Sequence, residues 1–335
     1  MTDPTTADPT AAPGASSDAA AHAAPPAAAV AGAAAAAAAG RSNWGRWGDD
    51  DERGALNLVG PAEVLAGVAA CRTGKTYTLG LKVQRKGVPL IDFRPTPERY
   101  ALFRDTDKDM FAKLGSDGTV GFNEDVLTVP THNGTHMDAL AHCVSDDTLY
   151  NGFPAGTVEA NRGASRCGIE KVGAVVGRAV LLDVAAHVGV DWLEPGQHVD
   201  ADLLESCRSA AGVTLGPGDV LLVRTGWLDL FASLGRGEKP PFAQPGLDLS
   251  TVDFVADHDL AAVGADNAAV EVIPFDHGGY LPVHVALLHK LGVVLFEHLV
   301  LSPMAADGCV EGLFVAAPLL VTGGSGSPVN PIVIA

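Results

Sequence analysis

The sequence predicts a single α/β domain built on a mixed sheet, on three observations. A chain of 335 residues with 47% hydrophobic positions is long enough to enclose a sizeable core. From Arg41 onward, short apolar strand-like runs alternate with helix patterns, and the strands outnumber the helices. No linker-like block recurs after Arg41, so one domain over 41–335 is the simplest partition.

The first 40 residues contain 20 Ala and no aromatic side chain, too little apolar bulk to offset the entropy of ordering them. They are expected to form a disordered Ala/Pro-rich tail, 1–40. At Arg41 the composition changes, with Trp44, Trp47 and the acidic run Asp49–Glu52. Gly60-Pro61 opens a helix through Ala70, because Pro suits a first helical position. Thr76–Val83 alternates as a strand. Further strand-like runs are Val126–Val129, Ala179–Val184, Val220–Val223, Ala261–Val263, Val293–Phe296 and Leu313–Val321, with helices at Ala201–Ala211 and Pro282–Leu291. On the last helix, α-helical spacing groups His284 with Leu287, Leu288 and Leu291 on a buried face and turns His289, beside Lys290, to water.

Charge narrows the partners. Lys and Arg number 22 against 40 Asp and Glu, a net charge of −18 that repels nucleic acid and anionic membranes. The longest weakly apolar run, Ala27–Ala39, is too short for the roughly 20 residues of a membrane span. The first 40 residues also lack the Lys or Arg of a secretory signal. Cys71, Cys143, Cys167, Cys207 and Cys309 are scattered, odd in number and without CxxC spacing, which reads as reduced thiols in a cytoplasm. Gly74-Lys75-Thr76 resembles the end of a phosphate loop, but Ala69 stands where that loop needs Gly.

The chemistry gathers in Thr131-His132-Asn133-Gly134-Thr135-His136-Met137-Asp138-Ala139-Leu140-Ala141-His142. Gly134 permits a sharp turn, so that His132, His136 and Asp138 can converge. Two nitrogens and one carboxylate suit a divalent zinc, manganese or iron ion and leave coordination positions open for water and substrate. If a helix begins near Asp138, His142 lies on the same face one turn further. Downstream, His284 is an imidazole on a buried face, and Glu297 interrupts the apolar run Val293–Leu301. A lone buried carboxylate is costly, so a nearby cation is its natural compensation; a simple hydrogen bond between His284 and Glu297 is the other reading.

The run from His132 to His142 resembles the HxGTHxDxxxH signature of the metal-dependent cyclase-like family, which includes bacterial kynurenine formamidases and isatin hydrolases. Arg46–Leu58, Leu149-Tyr150-Asn151-Gly152, Arg224-Thr225-Gly226-Trp227 and the His284–Glu297 segment resemble its longer members as well. The resemblance implies a swivelling β/β/α-type fold, a homo-oligomer, and a metal held at His132, His136 and Asp138. In formamidase-like members a second metal shares the position of Asp138 and uses those of His284 and Glu297, whereas isatin-hydrolase-like members work with one ion. The same resemblance makes His142 the acid/base or orienting residue. Leu140 stands where the shorter formamidases carry Pro, which points to the longer cyclase-like branch, and His298 replaces the usual Asn after the late Glu.

A bound divalent ion lowers the pKa of its water from 15.7 toward about 7 and polarises a carbonyl, so no Ser or Cys nucleophile is required. Gly324-Ser325-Gly326 accordingly lacks the pattern of a nucleophile elbow and reads as a turn. His142, with a pKa expected near neutrality, would shuttle the proton. The expected activity is hydrolysis of a C–N acyl bond in a small amide, formamide or lactam, with one or two Zn²⁺ or Mn²⁺ ions. A metal-dependent cyclase or dehydratase, and a non-catalytic metal-binding protein, are the alternatives. Trp44, Trp47, Phe122 and Phe153 are candidate walls for an aromatic substrate pocket.

Overall fold

The structure is a computed structural model that describes residues 41–235, 238–276 and 279–335; the expected tail, 1–40, lies outside the described residues. Nine strands make one mixed sheet: β1 Thr76–Thr78, β2 His136–Asp138, β3 Val175–Asp183, β4 Val220–Arg224, β5 Ala262–Ala265, β6 Val294–Glu297, β7 Glu311–Ala316, β8 Gly326–Pro328 and β9 Ile332–Ile334. Their spatial order is β1-β9-β7-β3-β4-β5-β6-β2-β8. The middle four, β3-β4-β5-β6, are parallel. Parallel neighbours need crossovers, and helices supply them: Ala201–Ala211 before β4, Thr251–Asp257 before β5 and a helical segment from Pro282 to Leu291 before β6. Covered on both faces, these strands are apolar and buried almost throughout. The flanking strands run antiparallel, and β2 is inserted between β6 and β8.

The helices at Pro61–Ala70 and Ala201–Ala211 have the expected bounds because their ends are written locally. The Gly60 N–H donates to Glu63 Oε2 at 2.8 Å ahead of Pro61. Asp200 accepts from the Leu203 N–H at 2.8 Å, and Gly212 ends that helix at φ 67°. Two expected strands are shorter. Thr76–Val83 pairs only to Thr78: Leu79 N–H still donates to Pro331 at 2.9 Å, but Pro331 has no N–H to return, and Leu81 N–H turns to the Thr135 hydroxyl. The run from Leu313 leaves the sheet after Ala316, just before Pro318. Val126–Val129 is a strand, Glu124–Thr128, but it pairs with Glu98–Phe103 in a separate ribbon that exposes Tyr100, Leu102, Val126 and Leu127.

Two local readings are corrected. His136–Asp138 is a strand, followed by a 3-10 turn at Leu140–His142 rather than a helix. Its backbone bonds are claimed by β6 and β8 on either side, which outweighs local preference. The helix from Pro282 widens into a π-helix over Val285–Leu291, and His289 is fully buried rather than facing water. The wider turns shift the faces, and the segment at Asn43–Trp44 covers the helix end. Trp44 Nε1–H donates to the His289 carbonyl (2.6 Å), Asn43 N–H to that of Lys290 (3.0 Å) and Asn43 Nδ2–H to that of Leu291 (2.8 Å). Three carbonyls that a helix leaves unpaired are thereby satisfied.

Among the described residues no helix is long and apolar enough to cross a membrane. All five cysteines are unpaired.

Candidate metal centre

Strand alternation builds the first half of the site. Along β2, Met137 points into the core while His136 and Asp138 share the opposite face. On β6, Glu297 sits directly across from His136, so sheet register puts it on that same face. His132 comes from the loop before, where Gly134 adopts φ 74°. A Cβ on Gly326 of β8 would stand 2.5 Å from His132 Cε1, so only glycine lets this ring approach the sheet.

His132 Nδ1–H donates to Asp138 Oδ1 at 2.7 Å, which leaves its Nε2 to accept from the Ser325 hydroxyl at 3.0 Å. His136 Nδ1–H donates to the Gly134 carbonyl at 2.8 Å. The Nε2 lone pair of His136 then faces Asp138 Oδ1 at 3.5 Å and Glu297 Oε2 at 3.2 Å. Burial, with His132 and His298 adding to it against the pull of Asp138, holds His136 down to about 3, so the ring is neutral.

The second half hangs on His284. Its Nδ1–H donates to Glu271 at 2.6 Å, and Nε2 faces Glu297 Oε1 at 3.3 Å and Asp138 Oδ2 at 3.7 Å. Burial opposes the charged imidazole, but the bonds to Glu271 and Glu297 outweigh it and hold its pKa well above the ordinary value. Glu271 also accepts from the Val283 and His284 N–H groups, at 3.2 and 3.0 Å, so the carboxylate orients both the ring and its helix start. Left-handed backbone at Val270 (φ 59°), Leu281 (φ 51°) and His298 (φ 53°) flanks Glu271, the His284 turn and Glu297. Each such non-glycine residue costs on the order of 1–3 kcal/mol and is held by the packing around it.

Three carboxylates and three imidazoles thus meet in a buried space. Burial pushes the Glu297 carboxyl up to about 7, and the neighbouring Asp138 adds to the shift. Asp138 is held well below the usual carboxylate range, since His142, His132 and His136 together outweigh its burial. Asp138 Oδ2 nevertheless has no hydrogen-bond partner. Ligand atoms of His132, His136 and Asp138 lie within 4.8 Å of one another, and so do those of Asp138, His284 and Glu297. An orphaned carboxylate oxygen, a ring lone pair aimed at two carboxylates and mixed N/O donors fit divalent cations, with Asp138 common to both groups. A third group, His198, Asp248 and Asp276, runs from the exposed His198 to the buried Asp276.

His142 stacks on His132 with ring centroids 3.9 Å apart and stands 6.4 Å from His284. Burial holds its pKa down to about 4, with His132 and His284 adding to the effect against Asp138, below the neutrality expected from sequence. All six polar site candidates are therefore brought together. The four aromatic candidates find partners elsewhere. Trp44 packs on His289 and under Lys290, Trp47 lies beneath Arg46, Phe153 beneath Arg166, and Phe122 is edge-on to Phe111 in the exposed region. Sequence reasoning missed Glu271, whose signal was a lone carboxylate within Ala269–Ile273, and passed over Ser325, which was weighed only as a nucleophile.

Comparisons with known proteins identify the family. The family model described as "Putative cyclase" matches residues 17–272. A crystal structure described as a novel cyclase is 34% identical with a TM-score of 0.79, covering 88% of this chain and 98% of that one. Kynurenine formamidase of Bacillus cereus is 28% identical over 210 residues, 62% of this chain and 78% of that protein. Isatin hydrolase of Roseibium aggregatum is 24% identical over 232 residues, 67% of this chain and 78% of that protein. Isatin hydrolase A from Labrenzia aggregata shares the fold, with a TM-score of 0.56 at 18% identity over 82% of this chain and 99% of that one. Matched by the family model over well over half its length and by a solved relative in both sequence and shape, the chain belongs to the cyclase family.

Proposed function

We propose that this protein is a metal-dependent hydrolase that opens a C–N acyl bond in a small amide, formamide or lactam. The observation that carries the reading is the pair of ligand groups sharing Asp138, one of whose carboxylate oxygens is buried without a hydrogen-bond partner. Likeness to a kynurenine formamidase and an isatin hydrolase supports the choice of bond.

In this reading His132, His136 and Asp138 hold one divalent ion, zinc or manganese, and Asp138, His284 and Glu297 hold a second or complete the surroundings of the first. When bound, the metal supplies an acidified water and polarises the acyl oxygen. The protons that now lie between His132 and Asp138, and between His284 and Glu297, must leave for these atoms to serve as ligands. Glu271 fixes the tautomer of His284 and aims its Nε2 at the cluster. His142, neutral and stacked beside His132, takes a proton from the attacking water and returns it to the departing nitrogen. Water oxygen ends in the new carboxylate, and the nitrogen leaves as the amine. A small molecule is the partner. The unpaired cysteines support a reducing cytoplasm. The exposed apolar ribbon supports a homo-oligomer, because two strands alone are marginal.

The test is a screen of formyl-anilines and aryl lactams with Zn²⁺- and Mn²⁺-loaded protein in ¹⁸O-labelled water. Label in the product carboxylate is expected. An unlabelled, ring-closed product would make the enzyme a cyclase or dehydratase, and no turnover of any amide would remove the reading.

A further inference from the structure

The turn Ile91–Arg94 is docked on the signature loop. Ile91 N–H donates to Asn133 Oδ1 at 3.1 Å, and Arg94 N–H closes the turn onto the Ile91 carbonyl at 3.0 Å. Asn133 lies between His132 and Gly134, so this contact seats the turn that carries Arg94 against the loop that supplies His132 to the cluster.

Arg94 differs from the other partly buried arginines. Arg166, Arg178, Arg208 and Arg224 each hold a carboxylate. Among the described residues no acidic side chain forms an ion pair with Arg94, in a chain with 40 acidic residues against 22 basic ones, and its Nη1 is shut off from solvent with no acceptor. Asn133 Nδ2, the other end of the amide that pins the turn, is a second buried donor without a partner. Unsatisfied buried N–H groups are costly, more so when charged. Two of them on adjoining segments beside one cluster form a receptor for an acceptor that the protein itself does not supply.

We propose that Arg94, assisted by Asn133 Nδ2–H, binds a carboxylate carried by the substrate. This rests on the hydrolase reading and narrows it to small amides, formamides or lactams that bear an acid group near the bond to be cleaved. A guanidinium suits the task because its planar fork matches a carboxylate with two parallel hydrogen bonds. Arg94 is thus a specificity residue, selecting the substrate by charge and setting its orientation.

Benzoate and benzamide, similar in size and different in charge, are the probes. Their equilibrium binding is measured on metal-loaded wild type, Arg94→Gln and Arg94→Lys. Wild type is expected to prefer benzoate, Arg94→Gln to weaken benzoate by about tenfold to a hundredfold with benzamide unchanged, and Arg94→Lys to fall between. Equal benzoate affinity in wild type and Arg94→Gln, or no preference for benzoate in wild type, overturns the proposal. If Arg94→Gln does not fold, Arg94→Lys decides alone: it keeps the charge without the fork, and unchanged benzoate binding overturns the proposal. In turnover, Arg94→Gln should raise KM for 2-formamidobenzoate and leave formanilide unaffected. An equal loss of kcat on both substrates would instead make Arg94 an aid to bond cleavage and overturn the assignment. The binding contrast needs no turnover, so inactivity on both anilides would sink the hydrolase reading while benzoate against benzamide still decides the role of Arg94.

Discussion

His136 and Glu297 face each other across β2 and β6 with Nε2 and Oε2 3.2 Å apart, and no proton donor of His136 is left for that contact. A ring lone pair opposite an ionised carboxylate is attractive only with a cation or a proton between them, and a bound divalent ion displaces the proton that the raised Glu297 carboxyl can otherwise place there. Glu297→Gln preserves shape and removes the charge. It is expected to lower Zn²⁺ or Mn²⁺ affinity by about tenfold to a hundredfold, read by competition with a metal-sensitive dye; affinity equal to wild type would exclude Glu297 as a ligand.

Asp138 and His142 should separate binding from catalysis. Asp138→Ala removes the group common to both ligand sets, so bound metal and turnover should disappear together. His142→Ala should keep stoichiometric metal and lose turnover by roughly 10²–10⁴-fold, the usual contribution of acid–base catalysis. Elemental analysis beside steady-state rates distinguishes the two, and loss of metal from His142→Ala would make it a ligand instead.

Glu271 reaches the cluster only through His284. Glu271→Gln retains an acceptor but leaves the His284 Nδ1–H without an anionic acceptor, Glu297 and Asp138 facing only Nε2, and breaking a buried pair costs about 3–5 kcal/mol. The variant should melt several degrees below wild type and bind metal more weakly; full stability and affinity would show that the carboxylate does not orient His284.

His289 supplies a pH signature away from the ligands. Burial first, and Lys290 second, hold its imidazole down to about 4 against 6.5 for the free group. The folded protein therefore binds fewer protons than the unfolded chain between those values. Stability from the neutral ring is present above about pH 6.5 and lost as pH falls toward 4. Melting curves across this window should drop more steeply for wild type than for His289→Gln, which can keep the contact with Thr148 Oγ1. Parallel curves would show that the ring titrates normally.

The ribbon provides an assembly test. Tyr100 stands directly opposite Val126, and both are exposed together with Leu102. Replacing Tyr100 and Leu102 by Ser should shift the mass measured by light scattering toward that of one chain; an unchanged mass would place the subunit contact elsewhere.

The part of the site legible in sequence was the part written as local spacing or as conflict. His132, His136, Asp138 and His142 fall in one short run, and His284 and Glu297 betray themselves as polar groups in apolar surroundings. Glu271 carries the same conflict, but its apolar neighbours are few and belong to no strand of the main sheet. The strand at His136–Asp138 was unreadable because three residues show no period, and its partners come from the far end of the chain. His289 was turned the wrong way because α-helical spacing was applied to π-helical turns. The matched stretches around Asp51 and Asn151 prove to be fasteners: Asn151 Nδ2 donates to the Gly48 and Asp51 carbonyls at 3.0 and 3.1 Å, and Tyr150 donates to Asp51 at 3.0 Å.

The insertion of β2 between β6 and β8 has a consequence for biosynthesis. A ribosome delivers the signature histidines well before Glu297 and Gly326, so a growing chain displays His132, His136 and Asp138 with neither flanking strand in place. The pairing that aligns them is long-range and slow to form. If the two ligand groups hold an ion as proposed, its capture by both belongs to the closing stage of folding, and its free energy goes to completed molecules by mass action. A chain cut short before residue 297 carries the signature without Glu297 or the strand at Gly326 that flanks it.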